Sequence, residues 1–283
     1  MRIGFVKLIV VGVLGLFWNN AFANITVPFE LVNGLIIVQA EMNGKIGNYI
    51  VDSGSNGILL NGSSEDSDVS YQTLSSTLEG SEMKIESFRV GEFELAQLLG
   101  FSTDLSNLEV YLEKPIDGIL GCAIFNPNSL LFDFASSKMI ISEALIDESE
   151  VEGFNHLDFY IFEDLPMVNI KIADKKHSFI LDSGATAHFI DTSILSISKI
   201  SARRTGNLKN IVTAGGKDKK SAEFKISNCR LGTVNSYDMD AYEKDFSEIS
   251  ATLNKKISGL LSVSKLCENK VYFDLKTNKI YFN

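Results

Sequence analysis

Two stretches of the chain, 130 positions apart, read almost alike: Asn48-Tyr49-Ile50-Val51-Asp52-Ser53-Gly54-Ser55 and Ser178-Phe179-Ile180-Leu181-Asp182-Ser183-Gly184-Ala185. A chain that builds one carboxylate-bearing turn twice is building a pair. The register continues further on, because Glu82-Met83-Lys84-Ile85 through Arg89-Val90-Gly91 recurs 141 positions later as Glu223-Phe224-Lys225-Ile226 through Arg230-Leu231-Gly232. At the same spacing Gly118-Ile119-Leu120 meets Gly259-Leu260-Leu261, and Phe132-Asp133-Phe134 meets Phe273-Asp274-Leu275. The spacing changes once, between Asp182 and Glu223, which places an 11-residue insertion in the second copy. Self-similarity of this length defines a duplicated fold.

Residues 1–23 have the layout of a cleavable secretory signal, with Arg2 and Lys7, an apolar run from Leu8 to Trp18, and Ala21-Phe22-Ala23 before Asn24. The run is too short to span a bilayer comfortably, an uncleaved anchor being the alternative. No cysteine follows Ala23, so no lipid or membrane anchor is expected after cleavage. The expected address is therefore export, to the periplasm or, alternatively, out of the cell. The 260 residues left after the 23-residue leader suffice for two lobes, 24–150 and 151–283, each with its own core. The formal charge of −10 becomes −12 when Arg2 and Lys7 leave with the signal, which disfavours nucleic acid and anionic membrane as partners. With three cysteines, at least one is unpaired. Cys229 and Cys267 fall in one lobe and are candidates to pair, the alternative being three small buried apolar residues. His156, His177 and His188 stand apart without an H-E-x-x-H frame, so neither metal nor cofactor is expected.

Short runs of Val, Ile, Phe and Tyr bounded by Gly, Asn and Asp dominate the chain, and no long stretch keeps a helical period, so the fold is mainly β. Leu35 to Glu41, a turn at Asn43-Gly44, and Ile46 to Val51 read as a hairpin delivering Asp52 to a strand end. Val168 to Ile172 and Ser178 to Leu181 repeat that delivery for Asp182. Ser262 to Leu266 is a candidate short helix, whereas the matching stretch from Ala123 is interrupted by Pro127. Each lobe closes with a hairpin, Leu130 to Phe134 with Met139 to Ser142, and Val271 to Leu275 with Ile280 to Phe282. The acidic stretch from Asp147 to Gly153 reads as the linker between lobes.

A carboxylate at the end of an apolar strand, followed by a hydroxyl residue and glycine, forms a turn whose backbone N–H groups can point back at the carboxylate. One such Asp-Ser-Gly turn is ordinary. Two on related lobes packed about a pseudo-twofold axis meet in one crevice, where like charges cannot both ionise easily and the pair titrates as a unit. The ionised partner then takes a proton from a water held between them, and the protonated partner donates to a carbonyl oxygen as the water attacks. That chemistry hydrolyses an amide without a covalent intermediate. Cys122 beside Gly118-Ile119-Leu120-Gly121 is a core residue on this reading, His188 a strand position, and no G-x-S-x-G elbow supports a serine hydrolase.

These motifs resemble those of the pepsin- and retropepsin-type aspartic peptidases, in which an apolar-apolar-Asp-Thr/Ser-Gly turn is followed downstream by an apolar-apolar-Gly strand. Asp117-Gly118-Ile119-Leu120-Gly121 is similar to the first-lobe form of that strand and Ser258-Gly259-Leu260-Leu261 to the second-lobe form. The resemblance spans nearly all residues after the leader. It implies two homologous β-barrel lobes of acid-protease type related by a pseudo-twofold axis, with Asp52 and Asp182 as the catalytic dyad. Ser53 and Ser183 would hydrogen-bond across the lobe interface, Gly54 and Gly184 would lend backbone N–H groups, and the Ser55 hydroxyl would support the outer carboxylate oxygen. The first flap is expected at the small turn Gly80-Ser81, without the family's tyrosine just before it, Tyr71 being the nearest. A second flap-like turn is expected at Gly215-Gly216, lengthened by the insertion. Ala185 stands where pepsin-like second lobes carry a hydroxyl, and Gly121 is answered by Ser262, a loss expected to loosen the strand beside Asp182. The expected activity is that of a monomeric aspartic endopeptidase acting on extended polypeptide. The alternative is a non-catalytic peptide- or envelope-binding protein that keeps the bilobal fold.

Overall fold

In the computed structural model the described residues are 24–283, except 56, 63–68, 75–76, 144–146, 198 and 217–218. The first half runs β1 (Ile25–Val32), β2 (Leu35–Met42), β3 (Lys45–Asp52), β4 (Ile58–Asn61), β5 (Val69–Gln72), β6 (Thr77–Val90), β7 (Phe93–Thr103), α1 (Ser106–Leu112), β8 (Gly118–Gly121), β9 (Ser129–Asp133) and β10 (Lys138–Ser142). The second half repeats the order as β11 (Asn155–Phe162), β12 (Leu165–Ile172), β13 (Lys175–Asp182), β14 (His188–Asp191), then α2 (Thr192–Leu195), β15 (Ala202–Ile211), β16 (Lys219–Leu231), β17 (Val234–Lys244), α3 (Ser247–Thr252), β18 (Gly259–Ser262), β19 (Lys270–Asp274) and β20 (Lys279–Phe282). Every strand of the first lobe has its counterpart. The insertion is visible as α2 and as the length of β15, 10 residues against the 4 of β5.

Local sequence explains the delivery of the two aspartates. Asn43 and Gly44 take left-handed φ of 50° and 80°, the backbone that a two-residue hairpin needs, and join β2 to β3. Ala173 and Asp174 take φ of 49° and 64° and do the same between β12 and β13. The apolar runs of β3 and β13 then lie between an antiparallel neighbour and a parallel one, β8 and β18 respectively. Buried on both faces, they read as continuous Ile, Val and Leu rather than as an alternation. Asp52 and Asp182 are the last residues of these two strands.

Each lobe has its own cluster of buried side chains facing the crevice, including Ile37, Ile50, Leu59, Phe101, Leu108 and Ile119 in the first and Met167, Ile180, Phe189, Phe246, Ile249 and Leu260 in the second. A third, larger cluster runs through both lobes. The closing hairpins lie within it, and they do more than cap their own lobes. β9 pairs with β19, so that β1, β10, β9, β19, β20 and β11 form one six-stranded antiparallel sheet under both lobes. Phe132 and Phe273 meet edge to face at its centre, 5.9 Å between ring centroids.

Several expectations change in detail. The candidate helix from Ser262 is a single 3-10 turn, Val263–Lys265, matched by another at Cys122–Phe125 that ends before Pro127. The acidic linker contains a 3-10 turn, Glu148–Val151, capped by the Asp147 side chain accepting from the Ser149 N–H. Cys122, Cys229 and Cys267 are all free thiols; the Cys267 thiol donates to the Lys270 carbonyl instead of pairing. The leader, residues 1–23, lies outside the described residues.

Candidate active site

Asp52 and Asp182 come together at the floor of the crevice, and the serines that follow them stitch the lobes to each other. The Ser53 N–H donates to Ser183 Oγ at 2.8 Å and the Ser183 N–H to Ser53 Oγ at 2.9 Å. Each hydroxyl in turn donates across the interface, Ser53 Oγ to the Leu181 carbonyl at 2.9 Å and Ser183 Oγ to the Val51 carbonyl at 2.8 Å. These four bonds are symmetric under exchange of lobes and fully buried, so they fix the strand ends relative to one another. The glycines complete the arrangement. The Gly54 N–H donates to Asp52 Oδ1 and the Gly184 N–H to Asp182 Oδ1, each at 2.7 Å. A methyl group on Gly54 would lie 2.8 Å from Asp182 Cγ, and one on Gly184 only 2.4 Å from Asp52 Cγ. Each glycine is thus the wall against which the other lobe's carboxyl rests.

The two carboxyls hydrogen-bond each other, which requires one proton between them. Asp52 keeps some surface towards the open crevice while Asp182 is 6% exposed. Desolvation between the lobes raises both above the ordinary carboxylate range, and raises Asp182 well above it because the charge and hydrogen bond of Asp52 add to its burial. Asp52 is held back by N–H groups of Gly54, Gly184 and Ser55 and by the proton it receives from Asp182.

The Ser55 hydroxyl does not reach the dyad. It points to the Gly57 carbonyl at 3.4 Å, and Ser55 contributes its backbone N–H to Asp52 instead. The replacement of Gly121 by Ser262 does not leave the second lobe's strand loose either. In the first lobe the Gly121 N–H donates to the Gly57 carbonyl at 2.8 Å, and a methyl there would lie 2.5 Å from the Ser55 carbonyl oxygen. In the second lobe the Ser262 Oγ donates to the Ala185 carbonyl at 2.7 Å, and its N–H donates to Nδ1 of His188 at 3.0 Å. Because Nδ1 accepts, the His188 Nε2–H is left to donate to Tyr237 Oη, 3.0 Å away. His188 is a buried strand residue whose neutral ring stands in for a backbone carbonyl. Burial pushes its pKa down to about 4. Burial likewise pushes the Cys122 thiol far up, and the nearby charge of Asp52 adds to this, so Cys122 is a core residue and no nucleophile.

The crevice walls are apolar on the first-lobe side, with Leu35, Ile50, Leu59, Leu108 and Ile119, and mixed on the other, with Phe189, Leu260, Ile249, Leu253 and Lys244. Among the described residues no group of three His, Cys, Asp or Glu is placed to hold a metal ion. The flap over the first lobe differs from expectation. Gly80 and Ser81 lie inside β6, paired with Thr103 and Ser102, and a Cβ on Gly80 would lie 2.0 Å from the Ser102 carbonyl oxygen. The glycine serves a close strand approach, not a turn. Gln72 and Thr77 are the last pair of the β5–β6 hairpin, and Tyr71, Gln72, Thr73 and Leu74 line the crevice. Tyr71 thus stands just before the flap turn, stacked on Phe101 with ring centroids 5.4 Å apart. In the second lobe the turn Thr213–Gly216, closed by the Gly216 N–H on the Thr213 carbonyl, extends from β15 across the crevice. A Cβ on its Gly216 would lie 2.3 Å from the Asn107 side chain on α1 of the opposite lobe, and Asn210 to Ala214 line the crevice. Lys244 and the His188–Ser262 bond went unassigned in the sequence, and Tyr71 entered only as the tyrosine nearest the expected flap. The 141-position register does carry a signal for one of them, since it sets Lys244 against Thr103.

This architecture, two repeated β lobes on a shared sheet with paired Asp-Ser-Gly turns, is the bilobal acid-protease fold. Residues 168–264 match a family model described as aspartyl protease, a span that includes Asp182 and the strand from Gly259. Among solved structures, the crystal structure of Basic 7S globulin from soybean is similar over 93% of this chain and 95% of its own, with a TM-score of 0.53 and 9% identity, a likeness in fold alone. No curated protein matches the chain in sequence. The fold of the whole chain is thus of the bilobal acid-protease type, and its second lobe carries the match to the aspartyl protease model.

Proposed function

We propose that the protein is an aspartic endopeptidase that hydrolyses peptide bonds in extended polypeptide with a water activated between Asp52 and Asp182. The observation that carries this reading is the geometry of the crevice floor, where the serine bonds between the lobes hold Asp52 and Asp182 together, each carboxyl against the other lobe's glycine; burial there raises the proton affinity of both. A water bound to both carboxyls gives its proton to Asp52 as it attacks the scissile carbonyl carbon, while Asp182 donates its proton to the carbonyl oxygen. The resulting gem-diol collapses when the nitrogen takes the proton from Asp52 and the C–N bond breaks, while a hydroxyl of the gem-diol gives its proton to Asp182, which releases amine and carboxylic acid and leaves one proton on the pair. Ser53 and Ser183 hold the two strand ends in the alignment this needs. Thr73 and Leu74 on the first lobe and the turn Thr213–Gly216 on the second cover an extended chain lying across the floor.

The leader motif in residues 1–23 supports action outside the cytoplasm, in the periplasm or beyond the cell, by a monomer that begins at Asn24. Trp18 is the one tryptophan of the sequence, so protein recovered after export should show no tryptophan fluorescence.

The decisive test is cleavage of an unfolded protein by residues 24–283 from pH 3 to 8, beside Asp52→Asn and Asp182→Asn. Cleavage by the wild type that is lost in both variants, is blocked by a statine-type inhibitor and declines as pH rises through the raised pKa of the pair is the expected result. Three folded proteins that bind peptide and never cut it would establish instead a non-catalytic binding protein on this fold.

A further inference from the structure

The two walls beside the dyad are not equivalent, although the lobes repeat strand for strand. β7 and β17 are counterparts, each running parallel to the strand that follows its lobe's aspartate turn. β7 ends at Thr103, which is buried and donates its Oγ1 to the Glu79 carbonyl at 2.9 Å, so its hydroxyl is engaged within the first lobe. β17 ends at Lys244. Its Nζ lies 5.9 Å from the ring centre of Phe189 and 5.5 Å from that of Phe246, and its positive charge acts on Asp182. Among the described residues it is the one cationic side chain lining the crevice. An ammonium group held over aromatic faces at the edge of a poorly hydrated cleft keeps its charge close to whatever fills the cleft.

We infer that Lys244 makes the second-lobe side of the crevice a subsite for an acidic side chain, so that the substrate class is polypeptide with Asp or Glu on one side of the scissile bond and an apolar residue on the other. This rests on the peptidase reading of the dyad. The apolar partner lies against the first-lobe wall, which presents Leu35, Ile50 and Ile119. The acidic partner lies over Phe189 with its carboxylate towards Lys244 Nζ. A glutamate side chain is long enough to place its stem on the ring and its charge at the ammonium. The ordinary carboxylate pKa of a substrate glutamate, about 4.3, makes the preference a function of pH. It is absent near pH 3, where the side chain is neutral, and present above about pH 5.

The test compares two peptides that differ by Glu against Gln at the position over the second-lobe wall, each made as a cleavable substrate and as a non-hydrolysable statine-type analogue. Wild type, Lys244→Met and Lys244→Glu are measured for kcat/KM on the first and for binding of the second by calorimetry. The expected wild-type preference for Glu is about tenfold at pH 5.5, as a close charge pair in a desolvated site gives. It disappears in Lys244→Met and inverts in Lys244→Glu. Taking the ratio of two peptides on one enzyme cancels any effect of Lys244 on the dyad itself. A wild-type ratio near one, or a ratio unchanged in Lys244→Met, overturns the subsite even if the variants shift the pH profile. Glu-selective binding of the analogue with no cleavage of either substrate upholds the subsite and removes the peptidase reading, which keeps the two failures apart.

Discussion

At the scale of single residues, the crevice floor is a set of contacts too close to admit a methyl group. Gly184→Ala is the sharpest case, because the new Cβ would sit 2.4 Å from Asp52 Cγ and 2.6 Å from both carboxylate oxygens. Asp52 must move, and misplacement by about an ångström costs on the order of 100-fold in turnover. The expected outcome is that kcat falls by about that factor while circular dichroism stays native. The buried dyad also opposes stability. A carboxyl whose folded pKa is raised stabilises the fold below its ordinary pKa and loses that contribution as pH rises through the folded value, so Asp182 weighs against the native state near neutrality. Asp182→Asn should therefore be inactive yet more stable than wild type in urea at pH 7.5, with the Gly184 N–H still accepted by the amide oxygen. His188 acts in the other direction. Its ring stays neutral to about pH 4 in the fold and titrates near 6.5 when unfolded, so the unfolded chain takes up a proton that the native state refuses. Its contribution is intact above pH 6.5 and falls by roughly 3 kcal/mol as pH drops to about 4. Urea midpoints measured across that window should show the slope in wild type and lose it in His188→Gln.

Among the elements, the flap hairpin shows what sequence could and could not convey. The aspartate-bearing hairpins were legible because Asn43-Gly44 is a strong turn signal and because one copy checks the other. The flap was misplaced because Gly80 looked like punctuation, whereas it is there to let β7 pass close by, and the true tip begins Thr73-Leu74 with no Gly, Pro or Asn to mark it. Helices α1 and α3, 7 and 6 residues long, are too short to establish a period. The His188–Ser262 bond joins residues 74 positions apart, and no local pattern announces such a contact. The relocated flap carries its own prediction. Tyr71 steadies the hairpin by stacking on Phe101 and packing against the first-lobe cluster, and its removal loosens the hairpin beside the crevice. Tyr71→Ala should therefore raise KM and lower kcat together, by about tenfold in kcat/KM, since an aromatic pair is worth on the order of 1 kcal/mol and closure of the flap is part of the catalytic cycle. Assaying well below the variant's melting temperature, where circular dichroism shows it folded, separates a flap effect from general destabilisation.

For the molecule as a whole, two structures at opposite ends of the interface hold one alignment. At the crevice floor, the four bonds of Ser53 and Ser183 tie the two turns to each other. On the far side, β9 and β19 lie side by side in the six-stranded sheet, Ser129 donates to the buried carboxylate of Asp274 at 3.4 Å, and Phe132 packs edge-on to Phe273. A hydrophobic cluster continuous from Val27 to Phe282 joins the two. Each lobe has a core of its own and would by size alone be able to unfold separately. The shared sheet argues against that, because unfolding either lobe strips partner strands and apolar cover from the other. Residues 24–283 should accordingly unfold in a single calorimetric transition, with amide exchange in β2 and β12 reporting the same free energy. Phe273→Ala, which removes a side chain 1% exposed at the centre of that sheet, should cost about 3–5 kcal/mol and lower both lobes' protection together. Two resolved transitions, or loss of protection confined to β12, would mean that the dyad is assembled from independently stable halves. In that case its geometry would rest on the serine bonds alone.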